Sequence, residues 1–183
     1  MIYFLAVGPL ILVATGWSGS SQSVTQVVNV SSSSVCSPLT PFPRAVRGAE
    51  GTVLDGNPIV CGGYDGQSYT SCYMYNKDSS SWDLHSDMSN KRGFFGMELN
   101  NGALMVIGGY SSSPISSIEY IYGNGSLSSE ISLPVARHGH ATVALHDGRV
   151  MVIGASSPSS GSSQSTSTRL VGQIRSGQMF KQF

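Results

Sequence analysis

Histidine, arginine, tyrosine and cysteine are the side chains here that could do chemistry, and each recurs at a spacing that suggests a role. His138 and His140 in Arg-His-Gly-His lie two apart, which on a strand puts both on one face, as a bound metal would require. A third ligand would have to be His85 or His146, on segments with no reason to converge, so the pair is expected to open a strand and bond neighbouring loops, with no metal site. Arg47, Arg92 and Arg137 recur at steps of 45 residues. Repeated arginines can form an arc that grips a carboxylate or sulfated sugar through bidentate contacts, or they can bond loop carbonyls between adjacent repeats. Tyr64 and Tyr110 each follow a glycine pair, where an aromatic can anchor a partner or pack on the next repeat. Serines abound, but none sits in a Gly-x-Ser-x-Gly turn and there is no phosphate-cradling loop. No catalytic residue and no cofactor follow from such a set.

The chain of 183 residues is only 11% charged with a formal net charge of zero, so no basic patch is available to grip nucleic acid. Its first charged side chain is Arg44, and the start, "MIYFLAVGPLILVATG", is a short apolar run ending in small residues. That run is short for a bilayer span and ends in Ala14-x-Gly16, so residues 1–17 are expected to be a secretory leader, with a short uncleaved anchor as the rival. Asn29-Val-Ser31 and Asn124-Gly-Ser126 are glycosylation sequons, which agree with a secreted, extracellular protein. Outside the cell two of the three cysteines, Cys36, Cys61 and Cys72, should oxidise.

The elements that position these residues come from a repeat. Asp55-Gly56, Asn101-Gly102 and Asp147-Gly148 are spaced by 46 residues, and Gly62-Gly63, Gly108-Gly109 and Gly154-Ala155 follow them at the same step. Asp-Gly and Asn-Gly tolerate the positive φ angles of a two-residue type I′ turn, so each predicts a tight hairpin. The runs after the turns, "ALMVIGG" and "RVMVIGA", have the continuous apolar character of strands buried on both faces. A Ser/Gly-rich loop, a third strand around Tyr75 or Tyr120 and a fourth around Trp82 or Leu127 complete each unit. Cys61 and Cys72 fall on the two arms of one hairpin, which makes them the expected disulfide and leaves Cys36 free or bonded elsewhere. A four-stranded sheet of this size cannot bury its faces alone and needs a neighbour on each side.

Gly62, Gly63, Tyr75 and Trp82 in "GGYDGQSYTSCYMYNKDSSSW", with Gly108, Gly109, Tyr120 and Gly154 in the later copies, resemble the kelch repeat. The resemblance implies an all-β fold, an incomplete kelch-type β-propeller of about three to four four-stranded blades. The units would be a tail at 18–47, repeats at 48–92 and 93–137, and a partial, degenerate repeat at 138–183. About 166 residues past a leader, at 46 per unit, make fewer blades than usually close a propeller, so a fragment of a longer propeller is expected. By the same resemblance the function is binding of a protein or glycan partner through the blade loops, with no enzymatic activity and no membrane contact beyond the leader. Arg47, Arg92, Arg137, His138, Tyr64 and Tyr110 are the candidate binding residues. The alternatives are a carbohydrate-active enzyme of the sialic acid epimerase or sugar oxidase kind, the former using the arginine arc, and a truncated chain with no independent activity.

Overall fold

The computed structural model describes residues 3–7, 10–32, 34, 35, 38–155, 172–175 and 178–182. Cys36 and the whole serine-rich stretch 156–168 lie outside them. All regular structure among the described residues is β, arranged as four antiparallel four-stranded sheets and one short ribbon. The first sheet is β1 (Tyr3–Val7), β2 (Leu10–Trp17), β3 (Ser21–Asn29) and β4 (Ser34–Val35). The second is β5 (Arg47–Leu54), β6 (Asn57–Tyr64), β7 (Tyr69–Asn76) and β8 (Ser81–Arg92). The third is β9 (Gly96–Asn100), β10 (Ala103–Ile107), β13 (Ser117–Tyr122) and β14 (Leu127–Ser132), with the ribbon β11 (Tyr110–Ser111) and β12 (Ser113–Pro114) inserted. The fourth is β15 (Ala141–Ala144), β16 (Val150–Ile153), β17 (Gly172–Arg175) and β18 (Gln178–Gln182). Strands follow chain order from edge to edge in every sheet, and the leading strands β1, β5, β9 and β15 touch in succession.

Between the sheets lie three apolar seams. On β6, Ile59 and Cys61 face the third sheet while Val60 faces the first; on β10, Leu104 and Val106 face the second sheet while Met105 and Ile107 face the fourth. This is why β6 and β10 are continuously apolar through their middles: both of their faces are cores. Leu12 and Ala14 on β2 are buried in the same way against Phe42, Val46, Ala49 and Val60. Within the segment expected to be a leader, Tyr3–Val7 and Leu10–Trp17 pair as the first two strands of the first sheet. A strand buried on both faces and a leader's apolar core are both short, uncharged runs, and composition does not separate them.

The first two hairpin turns have positive φ at both central residues, Asp55 and Gly56, then Asn101 and Gly102. The third departs from the expected type. Only Gly148 of the Asp147-Gly148 pair has positive φ, and Leu145 pairs with Arg149 through Leu145 N–H to Arg149 O at 2.7 Å, leaving a three-residue loop. A type I turn followed by a left-handed glycine accounts for it.

The glycine pairs are required by position. Gly62 (φ 60°) and Gly108 (φ 59°) occupy matching places, where a Cβ would strike the carbonyl oxygen of Arg92 or of Arg137 respectively. The first sheet puts Thr15 there, with φ 62°, buried, its hydroxyl without a partner among the described residues. A β-branched residue in left-handed backbone is strained by roughly 1–3 kcal/mol, whereas glycine costs about 0.5–1 kcal/mol of extra entropy. Thr15→Gly is therefore expected to stabilise the fold by about 1 kcal/mol in urea denaturation, and a lower midpoint would refute the strain.

Cys61 and Cys72 are cross-strand partners joined by a disulfide, as expected from the hairpin alignment. Ile107 and Ile118, also cross-strand partners and fully buried, fill the matching place in the third sheet. Closing a loop of about this length contributes about 2–3 kcal/mol. A Cys61→Val, Cys72→Val double variant should lose that amount in thermal melts and should become indifferent to reductant.

Candidate functional site

The pairing registers settle which arginines are equivalent. Glu50, Gly96 and Ala141 oppose Cys61, Ile107 and Ile153, so the step between leading strands is 46 and then 45 residues. Arg92 and Arg137 therefore match Val46, not Arg47, and Arg47 matches Gly93 and His138. The pairing of Arg47 with Tyr64, and of Gly93 with Tyr110, confirms this.

Arg92 is fully buried at the seam between the second and third sheets. Its Nε and Nη2 donate to Glu119 Oε1 at 2.9 and 2.7 Å, Nη1 donates to the carbonyls of Gly108 (2.6 Å) and Ser117 (2.9 Å), and Nη2 also reaches Ser117 Oγ (2.8 Å). Glu119 Oε2 accepts from Ser89 N–H at 2.7 Å. Burial pushes the Arg92 pKa down while the Glu119 carboxylate pushes it back up. Arg137 repeats one of these contacts, Nη1 donating to Gly154 O at 2.8 Å as Arg92 Nη1 does to Gly108 O, and burial lowers its pKa as well. Both are staples between sheets, as one reading of the sequence had it. The expected ligand-binding arc does not form, because Arg92 and Arg137 are 0% and 1% exposed. With it goes the surface on which the epimerase alternative relied.

The remaining candidates converge on one edge of the sheets, where β6 ends and β7 begins. Trp17, Tyr64 and Tyr110 occupy the same place after Thr15-Gly16, Gly62-Gly63 and Gly108-Gly109. The Arg47 guanidinium lies 4.3 Å from the Trp17 ring centroid and 5.4 Å from that of Tyr64. Tyr64 sits 5.9 Å from Phe94 and 6.4 Å from Tyr110, and Tyr110 sits 5.3 Å from His138. Farther out, Arg44 stacks on Tyr69 at 3.7 Å, and the Tyr69 hydroxyl donates to Asp65 Oδ1 at 2.6 Å. The result is an aromatic belt crossing three sheets. Trp17 is 48% exposed and the other belt residues are half-buried.

Four belt members, Arg47, Tyr64, Tyr110 and His138, were legible as candidates, whereas Trp17 and Phe94 were not. Trp17 was hidden in the apparent leader, though its place after Thr15-Gly16 was a usable signal. His138 and His140 part company: His138 joins the belt, and His140 is buried under Gly108 in the position that Phe95 takes in the third sheet. Burial, and the Arg137 charge after it, lower the His140 pKa to about 4. Among the described residues no group of three His, Cys, Asp or Glu side chains is placed to hold a metal.

One further expectation changes. Tyr75 and Trp82 pair across β7 and β8 at 5.2 Å and face the first sheet, where the Trp82 indole donates to Thr40 O at 3.2 Å. Ile121 and Leu127 are their counterparts in the third sheet, so Tyr120, which faces the fourth sheet, is not the equivalent of Tyr75. The sequons both lie on the opposite edge from the belt, Asn29 at the end of β3 and Asn124 in the turn after β13. That edge also carries a cavity of about 410 Å³ lined by Asn57, Met74, Lys77, Asp83 and His85.

No family model matches the sequence, and no curated protein matches it. A solved structure that does match in fold is titled "Structure of YjhT", with a TM-score of 0.79 and 14% identity. The match covers 100% of this chain and 64% of that one, so this chain spans just under two thirds of its neighbour's length. The neighbour's fold is β-propeller-like, and at this identity the likeness concerns the fold alone.

Proposed function

We propose that the chain is part of a kelch-type β-propeller, its four sheets being blades, and that it is a secreted, non-catalytic binding module which holds a protein or glycan on its aromatic belt. The observation that carries this is the return of an aromatic to the same edge position in three successive sheets, as Trp17, Tyr64 and Tyr110, with Arg47 and His138 set between them. Rigid, half-exposed rings with a polar handle lose little entropy on contact and supply much of the area of a binding patch. The buried disulfide supports an oxidising compartment. Sequons on the far edge would keep attached glycans clear of the belt.

An array of extracellular glycans and a panel of immobilised extracellular proteins would supply ligands to titrate. Tyr64→Ala and Tyr110→Ala should each weaken a genuine ligand about tenfold or more without lowering the melting temperature by a matching amount, while Lys77→Ala on the opposite edge should leave affinity unchanged. Equal affinities for wild type and both tyrosine variants would reject the belt.

A further inference from the structure

The three seams between the sheets differ at one equivalent pair of positions. At the first seam Val46 stands where arginine stands later, and Tyr73, which pairs with Val60 on β6 and packs against the same apolar cluster, holds the other place. At the second seam the pair is Arg92 and Glu119, the latter paired with Val106 on β10. At the third seam Arg137 occupies the arginine place, but the residue paired with Val152 on β16 is Gly172. A guanidinium that is 1% exposed has kept its place while its carboxylate has been replaced by a hydrogen atom.

The polar groups around that position are basic or unpartnered. Arg137 Nε, whose counterpart in Arg92 donates to Glu119, has no hydrogen-bond partner among the described residues, nor has His138 Nδ1. Among the described residues Arg137 Nη1 donates to the neutral carbonyl of Gly154 alone. Removing one member of a buried ion pair leaves a desolvated charge, which ordinarily costs several kcal/mol. We propose that Arg137 Nε and the adjoining edge of its guanidinium form a binding site for a small monovalent anion, a halide or a formate-sized carboxylate, which takes the position held by Glu119 Oε1 at the seam before. The second seam is the internal template for this site: the same arginine position, the same donor direction, and a carboxylate oxygen at the end of it.

The experiment is a set of thermal melts of the full chain at constant ionic strength in sodium chloride, bromide, formate and gluconate, the last being too large to enter. An anion that binds only the folded state raises its stability with the logarithm of concentration. Wild type should melt about 3 °C or more higher in 200 mM chloride, bromide or formate than in gluconate. Gly172→Glu, which restores the carboxylate in place, should melt equally in all four salts and at or above the wild-type value in chloride. Arg137→Met should also lose the salt difference, whatever its own stability. Bromide soaked into crystals of wild type should give an anomalous peak within about 3.5 Å of Arg137 Nε, a contact of hydrogen-bond type. Indifference of wild type to the choice of anion, a Gly172→Glu variant that keeps the full chloride response, or a protein oxygen in place of the bromide peak would each overturn the site. Peaks only at surface lysines would mean an adventitious ion only. A response to formate without one to halide assigns the site to carboxylates.

Discussion

Glu119→Ala is expected to cost about 3–5 kcal/mol of folding stability, because it strips the partner from a guanidinium that is fully buried between two sheets. The loss has two parts: the ion pair itself, and the Ser89 N–H that donates to Glu119 Oε2 and would be left without an acceptor. Arg92→Ala should cost a comparable amount, since it orphans Glu119 as well as the carbonyls of Gly108 and Ser117. The informative variant is the double one. The first seam fills the same two places with Val46 and Tyr73, so Arg92→Val combined with Glu119→Tyr imports an apolar solution that the protein already uses. Urea denaturation should show the double variant to be more stable than either single alanine variant, as expected when a buried ion pair is exchanged whole for packed apolar groups. A double variant as weak as the sum of the singles would mean that the seams are not interchangeable.

The second large effect is on acid stability. His140 is buried and its pKa is lowered to about 4, against an ordinary value near 6.5 in the unfolded chain. Above pH 6.5 the ring is neutral in both states and the fold is at full strength. As the pH falls below 6.5 the unfolded chain takes up the proton first, and by pH 4 the fold has lost about 3 kcal/mol. Burial raises the Glu98 pKa, which acts in the opposite sense and offsets a part of this loss. His140→Phe installs the residue that Phe95 provides at the matching place, and it should abolish the histidine component of the slope between pH 6.5 and 4. An unchanged slope in that variant would assign the acid sensitivity to other groups.

How far the sequence led can be followed through particular residues. The Asp-Gly and Asn-Gly turns, the glycine pairs and the Cys61–Cys72 bond were legible because each answers to local backbone geometry or to cross-strand proximity. The arginine alignment failed by one residue. Arg47-Gly48 and Arg92-Gly93 look alike and stand 45 residues apart, but the strands that follow are offset by 46, so the matching dipeptides fall one place out of register. Residues whose partners lie in another sheet, such as Glu119 and Trp17, could not be found from periodicity inside one unit. Leu10–Trp17 was missed for a related reason: its neighbours Phe42, Val46 and Val60 lie 25 or more residues downstream.

Self-similar units carry a hazard while they fold, since each sheet presents a surface resembling those of its siblings, and an arriving sheet can settle on the wrong one. The unequal fittings at the three seams oppose this. A third sheet that docked on the first would bring Glu119 against Val46 with no cation to meet it, and a second sheet laid on the wrong neighbour would leave the Arg92 charge facing the ring of Tyr73 instead of a carboxylate. Chemistry that varies from seam to seam would therefore make a sheet docked out of order costlier than one docked in order.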